Sequence, residues 1–598
     1  MMPSHRTFLG VERSAGGRRW VHALDARAEG VANQIAREHD IPDLVARVLA
    51  GRGVEAADAL AFLAPRIRDL MPDPSTLTDM DAAAVRLADA VERGERVAIF
   101  GDYDVDGAAS SALLHRYLRA FGIHAPIRIP DRISEGYGPN PQAMRDLADD
   151  GASLIVTVDC GTSSFEALEA AQAIGVDVLV LDHHQTGVRL PPALALVNPN
   201  RQDDLSGQGH LCAAGVVFLT LAAVSRELRR RGRPADSLPD IRRDLDIVAL
   251  ATVCDVVPLV GFNRALVVQG LLRMRSLENV GLKALAEIAR LAGPIDTFHL
   301  GFLLGPRINA GGRIGEAHLG SRLLTIEDDV EARALAEQLH LLNAERQAME
   351  KEMLDEAERE VLAEIGSGDG PPVLVVARAN WHPGIVGLIA ARLRERFSRP
   401  AFAISFDGAG RGAGSGRSIP GFDIGAFVRQ AVEEGVLVKG GGHGMAAGLT
   451  IRREALADLR ALADERARET VTRLRAVDML KIDGAVSAMA LRPELIAVID
   501  QAGPFGAGHT APIFALPRHR VVSAGEVGTG GHIRATLRSA DGTDASAIAF
   551  RAAGSPVGDA LLKGRDHLVH VAGSLSIDRY QGREKVSVRI LDVASADL

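Results

Sequence analysis

Gly101-Asp102-Tyr103-Asp104-Val105-Asp106-Gly107 is the stretch on which the fold turns. Three carboxylates at alternate positions followed by glycine form the opening half of an EF-hand calcium loop. Two features exclude that loop. Its twelfth position, which requires a bidentate Glu, is Leu113. It also follows the apolar run Val97-Ala-Ile-Phe100 rather than a helix. Short apolar runs between helical patterns read as buried strands of a parallel sheet. Ligands in such sheets sit beyond the carboxyl ends of the strands, and there the three acids belong.

The pattern recurs. Leu154–Val158 runs into Asp159-Cys160-Gly161-Thr162, and Val176–Leu181 runs into Asp182-His183-His184. The apolar run from Ala249 closes on Asp255, which we take as a fourth acidic strand end. One Asp at such a point is ordinarily a helix cap or turn residue. Four in one domain would repel each other and lose hydration unless cations neutralise them. Carboxylates with one or two imidazoles favour Mn²⁺ or Mg²⁺ over structural zinc. Five or more acids suit two ions sharing a bridging carboxylate, as in in-line attack on phosphorus. Cys160 and Cys254 read as small buried neighbours of the acids.

Composition bounds the rest. The chain has 598 residues, 47% of them hydrophobic and 24% charged, with net charge −9. That is globular composition, long enough for about three to four domains. Whole-chain charge gives no sign of a polyanion partner. Only six of 68 basic residues are Lys; codon usage explains this, although guanidinium groups also grip phosphate bidentately. Three cysteines without C-x-x-C spacing exclude a disulfide scaffold and a zinc knuckle. The N-terminus has no apolar signal core and no run of 18 apolar residues occurs, so a soluble, cytoplasmic protein without membrane contact is expected.

Residues 1–80 are mixed, with a helical pattern from Asp43 to Leu63 and no chemistry to read. Residues 81–326 alternate helices with short strands. Residues 327–365 contain no Gly or Pro and predict one helix of about 55–60 Å at ~1.5 Å per residue. A second α/β pattern occupies 371–472. Residues 473–598 change to short alternating strands punctuated by glycine, the pattern of a small β-barrel.

DYDVDG, VDCGTSS, LDHH and TVCDVVPL, in that order, resemble motifs I to IV of the DHH phosphoesterase superfamily. Gly305–Gly315 (GPRINAGGRIG), Trp381–Gly387 (WHPGIVG), Gly414–Ser418 (GSGRS), Gly440–Gly448 (GGGHGMAAG) and Pro504–Gly508 (PFGAG) narrow the likeness to its RecJ family of single-strand-specific 5′→3′ exonucleases. One departure is Gly508-His509-Thr510, where the family usually carries Gly-Asn-Pro.

The resemblance implies an α/β architecture. Two α/β domains, DHH and DHHA1, are joined by the long helix around a catalytic cleft, with a C-terminal OB-like barrel. It implies that Asp102, Asp104, Asp106, Asp159, His183 and Asp255 bind two Mn²⁺ or Mg²⁺ ions, with Asp159 bridging. Asp182 and His184 complete the catalytic set. Arg132, Arg307, Asn309, Arg313, His382, Ser415 and Arg417 would hold substrate, with Gly441, Gly442 and His443 forming an anion nest. Glycines around Arg307 and Arg313 would let backbone approach the polyanion, and Ser415 and Arg417 would lie in an open loop gripping the 5′ phosphate.

The barrel module from 515 to 598 is mildly basic, with 11 Lys and Arg against 9 Asp and Glu. Aromatics are sparse, Phe550 and Tyr580 within it and Phe514 at its edge, and Arg534, Arg538, Arg579 and Arg583 are candidate backbone contacts. The expected substrate is single-stranded DNA, degraded to mononucleotides in recombination and repair by a monomer. Expected partners are a single-strand-binding protein and a RecQ-like helicase. A phosphodiesterase of cyclic dinucleotides or short oligonucleotides would not need the β-module. A non-catalytic single-strand-binding scaffold would have lost acidic positions that are all filled here.

Overall fold

The computed structural model describes residues 6–596 apart from 292, 367, 477, 529, 581 and 582; side chains of 578–583 are also undescribed. Residues 67–475 form one compact unit, and residues 1–66 with 476–598 form another.

In the larger unit, strands β1 (Val97–Gly101), β2 (Ile127–Arg128), β3 (Leu154–Val158), β4 (Asp177–Leu181) and β5 (Ala195–Val197) build a parallel sheet in the order β2-β1-β3-β4-β5. β1, β3 and most of β4 are buried, as runs covered on both faces must be. The chain leaves β1 for one side and returns at β3 on the other. The crevice where that order reverses is where such sheets bind ligands. Helices α1 (Val105–Arg119), α2 (Ala213–Arg230) and α3 (Leu245–Cys254) pack in the same core.

The fourth acidic strand end is a helix end. Leu245–Cys254 is a helix buried along most of its length, with Asp255 as its C-cap. A short run apolar on all sides has neither a period of 2 nor of 3.6, so its spacing cannot tell strand from helix. Gly305–Ile314 is likewise a helix, α4. Its glycines serve helix packing: a Cβ on Gly305 would lie 2.4 Å from Cys254 Sγ, and one on Gly312 2.5 Å from the Tyr103 carbonyl.

The long helix α5 spans Asp329–Ile365, and Asp328 caps its first turn. It meets a second domain whose sheet, in the order β9-β10-β8-β7-β6, comprises β6 (Leu374–Arg378), β7 (Ala401–Phe406), β8 (Arg411–Arg417), β9 (Lys439–His443) and β10 (Ala446–Arg452). Helices α6 (Val386–Phe397) and α7 (Ile424–Glu433) accompany it. Buried Glu350 on α5 accepts from Arg346 one turn earlier and from Arg392 Nε on α6 (2.9 Å). The Trp381 indole N–H donates to Glu356 of α5 (2.8 Å). These contacts tie the helix to the second domain.

Ser415 and Arg417 therefore lie in a strand, not an open loop. Alternate glycines 412, 414 and 416 are the reason: a Cβ on each would come within 2.7 Å of Phe406, Leu449 or Phe402 side chains. Gly440–His443 is also extended, paired with β10. The alternating backbone of an anion nest is thus not formed.

In the smaller unit, β11 (Phe514–Val527), β12 (His532–Arg538), β13 (Asp544–Ala549), β14 (Leu568–Tyr580) and β15 (Arg583–Ser595) close a five-stranded barrel in the order β11-β12-β13-β15-β14, returning to β11. The N-terminal residues belong to this unit. Strand Arg19–His22 pairs with Met479–Ile482, and buried Asp592 accepts from Ser14 Oγ (2.6 Å), Gly16 N (3.0 Å) and Trp20 Nε1 (3.0 Å). The Asp43–Leu63 pattern is two helices, Asp43–Gly51 and Ala59–Leu63, parted at Gly53 (φ +78°). The departing residue His509 is buried, its Nε2 2.8 Å from the Ala502 carbonyl and its ring stacked on Phe505. Phe514 is buried in the barrel, whereas Phe550 is exposed beside Arg589 and His532. Arg538 pairs with Asp544; the side chains of Arg579, Tyr580 and Arg583 lie outside the described residues. Among the described residues no helix is long and apolar enough to cross a membrane.

Asp592→Ala strands two buried donors, Ser14 Oγ and Trp20 Nε1, and removes the partner of Gly16 N, so a loss of about 3 kcal/mol is expected. Urea unfolding followed by Trp20 fluorescence in a Trp381→Phe background measures it; an unchanged midpoint contradicts the pinning role.

Candidate active site

Each acidic group is delivered by a local rule of chain geometry. Asp104 caps α1, accepting from the N–H groups of Asp106 (2.9 Å) and Gly107 (3.1 Å), donors that a helix start leaves open. A Cβ on Gly107 would lie 2.4 Å from the Asp102 carbonyl, so glycine is required where β1 turns into α1. Asp106 is fixed by the N-terminus of α2, whose Ala213 and Ala214 N–H groups donate to it (2.6 and 2.8 Å), a favourable place for an anion.

Asp159 closes β3 with φ +60°, a left-handed conformation costing about 1–2 kcal/mol and best tolerated, glycine aside, by Asp and Asn. Its carbonyl accepts from Tyr137 Oη (3.0 Å). Asp182 folds the segment after β4 around itself. It accepts from the N–H groups of Thr162 (3.1 Å), His183 (2.8 Å) and His184 (3.2 Å), and from His184 Nδ1 (2.8 Å). Asn200 and Asn198 donate to the His183 and His184 carbonyls (2.6 and 2.9 Å). Val256 after Asp255 is also left-handed (φ +61°), unusual for a β-branched residue.

The side chains converge. His183 Nε2 lies 3.2 Å from Asp159 Oδ1 and 3.7 Å from both Asp106 Oδ2 and Asp255 Oδ2. Three donor triads have atoms within 4.8 Å of one another: Asp102, Asp104 and Asp159; Asp106, His183 and Asp255; and Asp159, His183 and His184. Burial and neighbouring carboxylates push Asp102, Asp159 and Asp255 well above the ordinary range, and burial raises Asp106 too. Burial also holds His183 low. Asp182 differs: the hydrogen bond and charge of His184 outweigh burial and keep it ionised, while His184 rises to about 9 against its own burial.

Asp102 Oδ1, Asp159 Oδ1 and His183 Nε2 are buried without a hydrogen-bond partner among the described residues. His183 Nε2 and Asp159 Oδ1 are close but not aligned as donor and acceptor, an arrangement that a cation, not a proton, satisfies. Oxygen-rich donors with imidazole fit Mn²⁺ or Mg²⁺, with Asp159 shared between triads.

Opposite the acids stands positive charge. Arg132 lies over the Tyr103 ring, 4.9 Å from its centroid. Burial and the neighbouring Arg132, Arg346 and Arg417 push Arg313 to about 10, still cationic at neutral pH. Arg417 is lowered by burial and by Arg132 and Arg394, and its Nη1 donates to Ser415 Oγ (2.9 Å). His382 is lowered by burial and Arg132, and His443 by burial, Arg417 and His184. Arg132, Arg313, His382, Ser415, Arg417 and His443 are thereby gathered from both domains. Such crowding of like charge marks a place prepared for an anion.

Four other candidates sit differently. Asn309 Oδ1 accepts from Val105 N (3.2 Å), so its carboxamide holds the acidic loop. Arg307 reaches Leu303 O (2.5 Å) and His340 Nδ1 (3.2 Å). The Gly442 carbonyl accepts from Arg429 (3.0 Å), and Gly441 faces open space. Spacing did not single out Tyr137, Asn198 or Asn200; only the post-strand position of Val197-Asn198-Pro199-Asn200 hinted at the last two.

The DHH family N-terminal domain matches residues 96–252, the DHHA1 domain 370–469 and the RecJ OB domain 482–592. The single-stranded-DNA-specific exonuclease RecJ of Escherichia coli is 36% identical over 79% of this chain and 83% of its own length. The chain belongs to the RecJ family. Among solved RecJ structures, that of Thermus thermophilus in complex with Mn²⁺ superposes with TM-score 0.77 at 29% identity, covering 95% of this chain and 78% of that one. Its Mg²⁺ complex gives 0.71 at 28%, covering 95% and 77%. The Thermus thermophilus RecJ thus carries both cations that the donor set here suits.

The raised carboxylates make the metal-free fold bind more protons than the unfolded chain. Its stability should fall as pH rises above 3.8 through their folded values. His184 acts in the same direction up to about 9 and His183 opposes it. In EDTA, Tm is expected to drop between pH 5 and pH 8. Saturating Mn²⁺ is expected to restore about 2.7 kcal/mol at 100-fold excess over Kd, more at pH 8 than at pH 5. Asp159→Asn should abolish that increment; an increment retained in the variant contradicts the shared-ligand assignment.

Proposed function

We propose that this chain is a metal-dependent exonuclease that hydrolyses single-stranded DNA from its 5′ end to mononucleotides, in recombination and repair. The observation that carries the reading is the pair of opposed clusters: buried acids with unpartnered oxygens on one domain, and crowded cationic side chains drawn from both. Asp102, Asp104, Asp106, Asp159, His183 and Asp255 would hold two Mn²⁺ or Mg²⁺ ions. Such ions supply charge for the phosphoryl and leaving oxygens and make a water acidic enough to attack phosphorus.

The chain's own groups do the positioning. Asp182, fixed by three backbone N–H groups, orients the His183-His184 segment. Tyr137 secures the strained Asp159 carbonyl. Arg132, Arg313 and Arg417, with Ser415, His382 and His443, receive the substrate phosphates, and a terminal 5′ phosphate on Arg313 and Arg417 would set polarity. No Ser or Cys nucleophile is required: burial pushes Cys160 and Cys254 up, keeping both as thiols. The OB barrel adds strand-holding surface of the kind such folds provide. A monomer in the cytoplasm, working beside a single-strand-binding protein and a RecQ-like helicase, follows from the resemblance; pull-down and sedimentation test it.

The direct test is degradation of 5′- and 3′-labelled single strands with a blunt-duplex control, in Mn²⁺ and in EDTA. Metal-dependent early release of the 5′ label, with duplex spared, is expected. Asp159→Ala should lose at least ~10³-fold in rate, on the scale of removing a principal source of transition-state charge stabilisation. Intact long strands with hydrolysed dinucleotides would instead indicate a small-substrate phosphodiesterase.

A further inference from the structure

Arg132 differs from the other arginines of the site in what holds it. The backbone on either side of it is pinned. Asp131 Oδ1 accepts from the N–H groups of Ile133 (3.1 Å) and Ser134 (2.8 Å), and the Asp131 N–H donates to Glu135 Oε2 (2.9 Å). Arg128, four residues earlier, uses its guanidinium on Glu135 and Asp146. Arg313 donates to the Gly384 carbonyl, and Arg417 to Ser415 Oγ and the Gly416 carbonyl. Among the described residues the Arg132 guanidinium has no hydrogen bond or ion pair; it lies over the face of Tyr103, 4.9 Å from the ring centroid.

That ring is itself fixed. Tyr103 lies between Asp102 and Asp104, in the turn from β1 into α1. Helix α4 holds this turn at two points. Asn309 Oδ1 accepts from Val105 N (3.2 Å), and a Cβ on Gly312 would stand 2.5 Å from the Tyr103 carbonyl oxygen and 3.0 Å from the Tyr103 Cβ. Arg313 is the next residue of that helix. The Arg132 charge acts on Asp102 of the acidic cluster and on Arg313, Arg417 and His382 of the cationic one, which places it between the two. A ring face attracts a guanidinium through its quadrupole and occupies none of the five N–H donors. The long side chain is thereby ordered before a ligand arrives, with every donor left for phosphate oxygens.

We propose that Tyr103 is a positioning residue, whose ring holds the Arg132 guanidinium in place for the phosphate that is cleaved, between the cation-binding acids and Arg313. The proposal deepens the exonuclease reading above and rests on it. One turn of chain then sets both the carboxylates that hold the cations and the guanidinium that faces them, so the two kinds of positive charge meet one phosphate at a fixed separation. The Tyr103 hydroxyl has no hydrogen bond among the described residues, so the ring face and not the phenol carries the role.

The test is kcat/KM for a 5′-phosphorylated 12-nucleotide single strand in saturating Mn²⁺, with Tm and its Mn²⁺ increment recorded for every variant. Tyr103→Leu is expected to lose roughly tenfold, within the range of a desolvated cation–π contact, and Tyr103→Phe to stay within about twofold of wild type. In an Arg132→Ala background, Tyr103→Leu is expected to lose under about twofold more, because its effect runs through the guanidinium. Pentafluorophenylalanine at position 103 keeps the shape of the ring and inverts its quadrupole. It is expected to fold as Tyr103→Phe does and to lose as much as Tyr103→Leu, and it decides the matter should Tyr103→Leu fail to fold. A Tyr103→Leu loss repeated in full beside Arg132→Ala, or accompanied by loss of the Mn²⁺ increment, overturns the proposal, since the ring would then serve the acidic turn. Full activity of Tyr103→Leu or of the pentafluorophenylalanine variant also overturns it, as does Tyr103→Phe impaired as far as Tyr103→Leu. Wild type inert toward the strand overturns the exonuclease reading itself, and the positioning role with it.

Discussion

Mutual repulsion among carboxylates withdrawn from water governs this molecule. Asp102, Asp106 and Asp159 are all but inaccessible, and burial together with neighbouring carboxylates raises the cost of ionising Asp106 and Asp159. Such a cluster survives folding only because the scaffold fixes each group separately. Asp104 is spent on the start of α1, Asp106 on the start of α2, and Asp159 on a left-handed turn that Tyr137 secures. What no group among the described residues satisfies, namely Asp102 Oδ1, Asp159 Oδ1 and His183 Nε2, is what divalent cations would satisfy.

The positive half of the site obeys the same logic with the sign reversed. Arg313 is buried among other guanidinium groups, and its Nη1 donates to the Gly384 carbonyl (3.2 Å). Its cationic neighbours come from both domains of the larger unit. The geometry therefore depends on how α5 is seated, and the Arg346–Glu350–Arg392 network with the Trp381–Glu356 bond seats it. Distant residues thus set the separation between acids and arginines.

Much of this was legible in the sequence. DYDVDG, VDCGTSS and LDHH each follow a buried strand, so alternation of strand and helix places their acids together without knowledge of the contacts. Asp255 was legible as a partner but not as a helix cap, because Leu245–Cys254 is buried almost throughout and, Asp246 and Thr252 apart, apolar. The glycines misled where flexibility was inferred. Those of Arg411–Arg417 make room for neighbouring side chains in a strand, and Gly305 and Gly312 let a helix touch Cys254 and Tyr103. A glycine needed for closeness and one needed for freedom look alike in a sequence. Asn198, Asn200 and Tyr137 escaped because they act by bonding backbone groups distant in sequence, and spacing carries no trace of that. The grouping of residues 1–66 with 476–598 escaped for the same reason: Asp592 and Trp20 meet only in the folded chain.

The central claim is that Asp159 is shared between two cation positions. Crystals of the protein equilibrated with Mn²⁺, measured for anomalous scattering, test it most directly. Two anomalous peaks are predicted, one among Asp102, Asp104 and Asp159 and one among Asp106, His183 and Asp255, with Asp159 touching both. A single peak, or two of which Asp159 touches only one, would contradict the account.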